Sequence, residues 1–172
     1  MPKKMQNRNA NIILVVAAAI AVIGAAAVTA TGNSRENASK DSRITQVIKR
    51  GDSLNIEIDK IGSEAVFFPI EVDGTSMEVI AVQASDGTIR TAFNTCQSCY
   101  TSGAGYYKWN GSELVCQNCG SRFKPEHVEV RSGGCNPWPI FADNKTAAGG
   151  VIRISYDFLK ESAEIFANWK RG

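Results

Sequence analysis

"AFNTCQSCYTSGAGYYKWNGSELVCQNCGSRF", residues 92–123, carries four of the chain's five cysteines in two C-x-x-C pairs. Cys96 and Cys99 form the first pair and Cys116 and Cys119 the second, with residues 100–115 between them. This falls in the C-x₂-C-x₁₅₋₂₀-C-x₂-C class of metal sites. Each pair can direct two sulfurs at one ion about 2.3 Å away, as in zinc proteins. Asn110-Gly111 predicts a two-residue type I′ turn between "GYYKW" (105–109) and "SELVC" (112–116), because both turn positions need positive φ. That hairpin brings the second pair beside the first. Gly120 directly follows Cys119, where a tight knuckle bends the backbone to aim its amides at sulfur.

Four sulfurs in a tetrahedron suit zinc, a single iron or an Fe–S cluster. Spacing alone favours zinc. Two disulfides are the bland alternative, since exported cysteines often oxidise. A thioredoxin-like C-x-x-C opens a helix that lowers the thiol pKa. Here "YTSGAG" follows Cys99 and Gly120 follows Cys119, both poor helix starts.

Cys135, in "SGGCNPWPI", is the odd thiol. Gly133-Gly134 and Pro137 shape a tight loop around it. It reads as an extra ligand, a replacement ligand or a packed free thiol. His127 is the only histidine, and a lone histidine in "KPEHVEV" reads more readily as a surface residue than as a ligand. One histidine leaves Ser/His or Cys/His nucleophilic catalysis little to work with. "SGAG" lacks the lysine and helix of a phosphate loop. Tyr100, Tyr106, Tyr107 and Trp109 are expected to cover the site and the hairpin face by cross-strand packing.

The chain has 172 residues, enough for one domain and a short appendage. A net charge of +2 is too small to argue for nucleic acid as a partner. Residues 12–31, "IILVVAAAIAVIGAAAVTAT", carry no charge and as a helix would span about 30 Å, roughly a bilayer's hydrocarbon core. Lys3, Lys4 and Arg8 precede the run, which places residues 1–11 in the cytoplasm and the rest outside. The run reads as a transmembrane anchor or as a secretory signal peptide cleaved after Val28-Thr29-Ala30. Its length beyond the usual ~7–15-residue h-region favours the anchor. Residues 32–43 are polar and read as a linker, leaving 44–172 as the extracytoplasmic metal-binding domain.

That domain is expected to be mainly β (α+β). Leu54, Ile56 and Ile58 alternate with polar residues as a strand does. "AVFFPIEV" (65–72), "MEVIAVQA" (77–84) and "TIRTAF" (88–93), separated by Asp73-Gly74 and Asp86-Gly87, predict an antiparallel meander leading to Cys96. The double C-x-x-C hairpin is then a zinc-ribbon-like knuckle. Residues 131–150 read as an ordered loop, and "VIRIS" (151–155) as a last strand. Residues 157–169 predict a C-terminal helix capped by Asp157, with Phe158, Leu159, Ser162, Ile165, Phe166 and Trp169 on one face.

"IRTAFNTCQSCY", "GYY", "LVCQNCGSRF" and "GGCNPWPI" together resemble the FtrD-like family of bacterial membrane-associated Fe–S proteins, over roughly residues 62–156. The resemblance implies an iron–sulfur cluster, iron or another metal centre. It also implies an association with iron uptake, in which an extracytoplasmic redox step accompanies a metal permease. Cys96, Cys99, Cys116, Cys119 and Cys135 match the family's cysteines by position. The expected protein is therefore a single-pass cell-membrane accessory that transfers electrons or handles metal, rather than an enzyme. Its partners would be the membrane and a permease or redox protein. The rival is a structural zinc-ribbon interaction module without redox chemistry.

Overall fold

The structure is a computed structural model that describes residues 45–171. The basic segment 1–11, the apolar run 12–31 and the linker 32–43 lie outside the described residues. Among the described residues no helix is long and apolar enough to cross a membrane.

In chain order the first strands are β1 (Gln46–Val47), β2 (Ser53–Glu57), β3 (Val66–Val72), β4 (Thr75–Gln83) and β5 (Ile89–Cys96). Then come β6 (Tyr107–Trp109), β7 (Leu114–Cys116), β8 (Arg122–Phe123), β9 (Pro137–Pro139), β10 (Thr146–Ala148) and β11 (Val151–Ser155), followed by one helix, α1 (Tyr156–Glu161). The expected meander is present. Strands β3, β4 and β5 are consecutive antiparallel neighbours in a five-stranded sheet of order β1-β3-β4-β5-β9. Asp73 and Gly74 alone link β3 to β4, with φ of 47° and 80°, the pair of left-handed conformations that a type I′ hairpin requires.

Side chains alternate across a strand, so β4 feeds two cores. Met77, Val79 and Ala81, with Phe93 of β5, belong to the first. This core is closed by β2 and β11, which form a second sheet in the order β10-β11-β2, and by the C-terminal helix. Ile80 and Val82, with Ala92 and Cys96 of β5, belong to the second core. There they meet Tyr107, Leu114 and Cys116 of the small sheet β6-β7-β8. The cysteine hairpin is therefore packed onto one face of the main sheet, with a hydrophobic core of its own.

Three local expectations differ from what is found. Asn110-Gly111 does not make a two-residue turn, because Trp109 pairs with Leu114 and leaves residues 110–113 as a four-residue loop. Asn110 Oδ1 accepts the amides of Ser112 and Glu113 at 3.0 and 2.8 Å, a side-chain turn that competes with the tighter one. The expected loop 131–150 contains two strands, β9 and β10. Prolines 137 and 139 are tolerated in β9 because it is the outer edge of its sheet. The C-terminal helix starts one residue early and is capped by Ser155, whose hydroxyl accepts the Phe158 amide, and not by Asp157. It tightens into a 3₁₀ turn at Ser162–Phe166, where the Ser162 hydroxyl donates to the Phe158 carbonyl at 2.9 Å. Its apolar face is as expected: Leu159, Ile165 and Phe166 are buried.

Candidate metal centre

Cys96 ends β5 and Cys116 ends β7, so each C-x-x-C pair begins where a strand stops. The second pair is a closed knuckle. The Gly120 amide donates to the Cys116 carbonyl at 2.9 Å, and the Cys116 amide to the Ser121 carbonyl at 2.9 Å. Gly120 sits at φ 73°, a left-handed conformation that glycine reaches without Cβ strain. This bend aims the amides of Asn118 and Cys119 at the Cys116 sulfur, and the Ser121 amide at the Cys119 sulfur. The first pair is built differently. The Cys99 amide donates to the Cys96 carbonyl at 3.1 Å, and a 3₁₀ turn, Tyr100–Ser102, follows at once.

The Sγ atoms of Cys96, Cys99, Cys116 and Cys119 all lie within 4.8 Å of one another. Cys96, Cys99 and Cys116 are buried and Cys119 is exposed. Burial pushes the Cys116 thiol up to about 11, against the opposing amides of Cys119 and Asn118. Burial also drives the Cys99 thiol well above its ordinary value. Cys119 goes the other way: the Ser121 hydroxyl, 3.3 Å from its sulfur, brings it down to about 6 by donating to the thiolate. The exposed corner, Cys119, is thus the one that favours the thiolate, while burial favours the protonated thiol at Cys99 and Cys116.

Cys135 is half-buried beside this group but outside the set of four. Its thiol hydrogen-bonds with Cys119 and with the Ser121 hydroxyl. Ser121 draws the Cys135 thiol down, but its hydrogen bond with Cys119 and burial outweigh it and leave the thiol raised. Its backbone is pinned from two sides. The Tyr107 phenol donates to the Cys135 carbonyl. The Gly133 amide donates to Gln97 Oε1 at 2.7 Å, and the Gln97 amide to the Asn136 carbonyl at 3.0 Å. Further back, Glu129 anchors the incoming loop by accepting from the Thr91 amide at 2.8 Å and from Lys145 Nζ at 2.5 Å.

Tyr107 lies fully buried between the pairs, and burial followed by the Cys96 neighbour holds its phenol well above the ordinary value. Trp109 and Phe123 are partly buried against the same core. Tyr100 packs instead on Trp138, and Tyr106 on Trp169. His127 stands in a 3₁₀ turn, Pro125–His127, and is not in the group of four. Sequence reasoning missed Ser121, Asn118, Gln97 and the hydroxyl role of Tyr107. Three of these lie within two residues of a cysteine, which was the available signal.

Four cysteine sulfurs within 4.8 Å of one another, with no carboxylate or imidazole in the group, suit iron or zinc. Fold and site define a mainly β domain carrying a four-cysteine cluster compatible with metal binding. Residues 61–166, more than half of the chain, match the family model described as membrane iron-sulfur containing protein FtrD-like. The chain belongs to this FtrD-like family. Comparison with the curated proteins and with the solved structures yields no match.

Proposed function

We propose that this protein is a membrane-anchored, extracytoplasmic electron-transfer accessory to iron transport, with its metal held by Cys96, Cys99, Cys116 and Cys119. The observation that carries the reading is the clustering of these four sulfurs on two knuckles, three corners buried and one at the surface. Thiolate-bound iron, when present, supplies a one-electron couple. The chain's own residues do the tuning. The amides of Asn118, Cys119 and Ser121 donate to sulfur and favour the form with more negative charge. Tyr107, Leu114 and Val128 exclude water from the buried side, and Cys119 offers the edge at which an electron enters or leaves. The apolar run 12–31 would hold the domain at the membrane, near a permease or redox partner.

The closed all-thiolate set also suits a structural zinc site, and that is the second reading. A visible absorption spectrum of the anaerobically purified full chain separates the two. Electron transfer predicts a coloured protein that bleaches with dithionite and recovers on reoxidation. A colourless protein with bound zinc supports the structural reading and ends the redox one.

A further inference from the structure

The two knuckles are not independent arms that could open around a guest. The chain segment 105–107 runs between them and is hydrogen-bonded to both. On one side the Cys96 amide donates to the Gly105 carbonyl at 2.6 Å. On the other the Gln117 amide donates to the Tyr106 carbonyl at 2.8 Å, and Tyr107 pairs with Cys116 in the β6–β7 ladder. Asn94 of β5 adds a clamp of its own. It accepts the Tyr107 amide at 2.6 Å through Oδ1 and donates to the Tyr107 carbonyl at 3.2 Å through Nδ2. Its Nδ2 also donates to the buried carboxylate of Glu78 at 2.6 Å, which in turn pairs with Arg171.

Gly105 shows how close the fit is. A Cβ built on it would lie 2.6 Å from the Cys99 carbonyl oxygen and 2.9 Å from the Cys99 Cβ. The distance between the pairs is therefore fixed by one strand's width of backbone hydrogen bonds. It does not adapt freely to the metal.

Four thiolates about 2.3 Å from one ion sit at tetrahedral corners about 3.8 Å apart. The observed limit of 4.8 Å accommodates this. In a multi-iron cluster the cysteines bond different irons across bridging sulfides, so their sulfurs stand further apart. Widening the set would break the Cys96–Gly105 and Gln117–Tyr106 bonds and detach Tyr107 from Asn94.

We propose that the four cysteines hold a single metal ion with no bridging sulfide, and that the strand segment 105–107 sets this nuclearity. The inference rests on the metal-centre reading above and narrows it.

The test is metal and acid-labile sulfide analysis of the anaerobically purified full chain. Metal-free protein is then reconstituted with ferrous iron alone and with ferrous iron plus sulfide. The expected result is one metal ion per chain, no labile sulfide, and the same spectrum from both reconstitutions. One zinc without sulfide also supports the single-ion site, while it removes the redox function. Two or four irons with matching sulfide overturn the single-ion proposal but leave the cysteine centre standing. A metal-free native protein with disulfides among the four cysteines overturns both.

Discussion

The Tyr107 phenol donates its hydrogen bond to the carbonyl of Cys135, 28 residues further along the chain. A fully buried side chain of the cysteine hairpin thus holds the loop that carries the fifth thiol. Tyr107→Phe removes the donor and keeps the ring. The Cys135 carbonyl is only part-buried, so losing this partner should cost no more than about 1 kcal/mol, the low end of the range for an unsatisfied buried acceptor. The four-cysteine site should survive, while the Gly133 and Gln97 amides, which cross-link the same loop, exchange with solvent faster. Hydrogen exchange by NMR reads this directly. Unchanged protection at both amides would mean that the loop is held without Tyr107.

Gly105→Ala should be damaging out of proportion to one methyl group. The added Cβ meets backbone atoms of Cys99, not a flexible side-chain end. Overpacking of this kind typically costs about 1–3 kcal/mol. Here the strain falls on the spacing of the knuckles, so metal retention should fall with stability. Gly62→Ala is the control, because nothing lies within 4 Å of its Cβ position and its φ is not left-handed. Thermal melting and metal content of the two variants check this. Equal behaviour would show that the segment 105–107 yields easily.

Cys119 and Cys135 should separate by chemistry. In the metal-free reduced protein, Cys119 is exposed and its thiol is lowered to about 6. It should react first with iodoacetamide at pH 7, and its rate should fall as pH drops through about 6, where the thiolate becomes protonated. Cys116, buried and pushed up to about 11, should stay unreactive over this range. Bound metal should protect Cys119. Cys119→Ser should lose metal, and Cys135→Ser should keep the fold while changing metal occupancy or midpoint potential. A Cys135→Ser variant equal to wild type in both would make Cys135 a packed thiol.

Glu78 is fully buried in β4 and pairs with Arg171 while accepting from Asn94. Glu78→Ala leaves the Arg171 guanidinium and the Asn94 amide without that partner. Breaking a buried pair from one side costs about 3–5 kcal/mol. Asn94 also orients Tyr107, so chemical denaturation should show lower stability together with weaker metal retention. A stability loss with metal binding intact would confine the pair to the fold.

Much of this was legible in the sequence for definite reasons. Asp73-Gly74 announced the β3–β4 hairpin because few residue pairs accept two positive φ values. The C-x-x-C spacing and Gly120 announced the cysteine cluster because knuckle geometry is local. Asn110-Gly111 misled, since Asn110's own side chain satisfied the amides of a longer loop. Strand β9 was hidden because its prolines argue against a strand, and only its place at the sheet edge permits them. Ser155 took the capping role from Asp157 because the helix began one residue earlier. The Glu78–Asn94–Arg171 group joins residues far apart in the chain, and no local pattern marks such a contact.

X-ray absorption at the metal edge of the purified full chain decides whether the four clustered cysteines bind the metal. The expected spectrum shows four sulfurs about 2.3 Å from the metal and no nitrogen or oxygen ligand, and that signal is lost in Cys96→Ser and Cys116→Ser. A shell containing nitrogen or oxygen, or a spectrum unchanged in those variants, would contradict it.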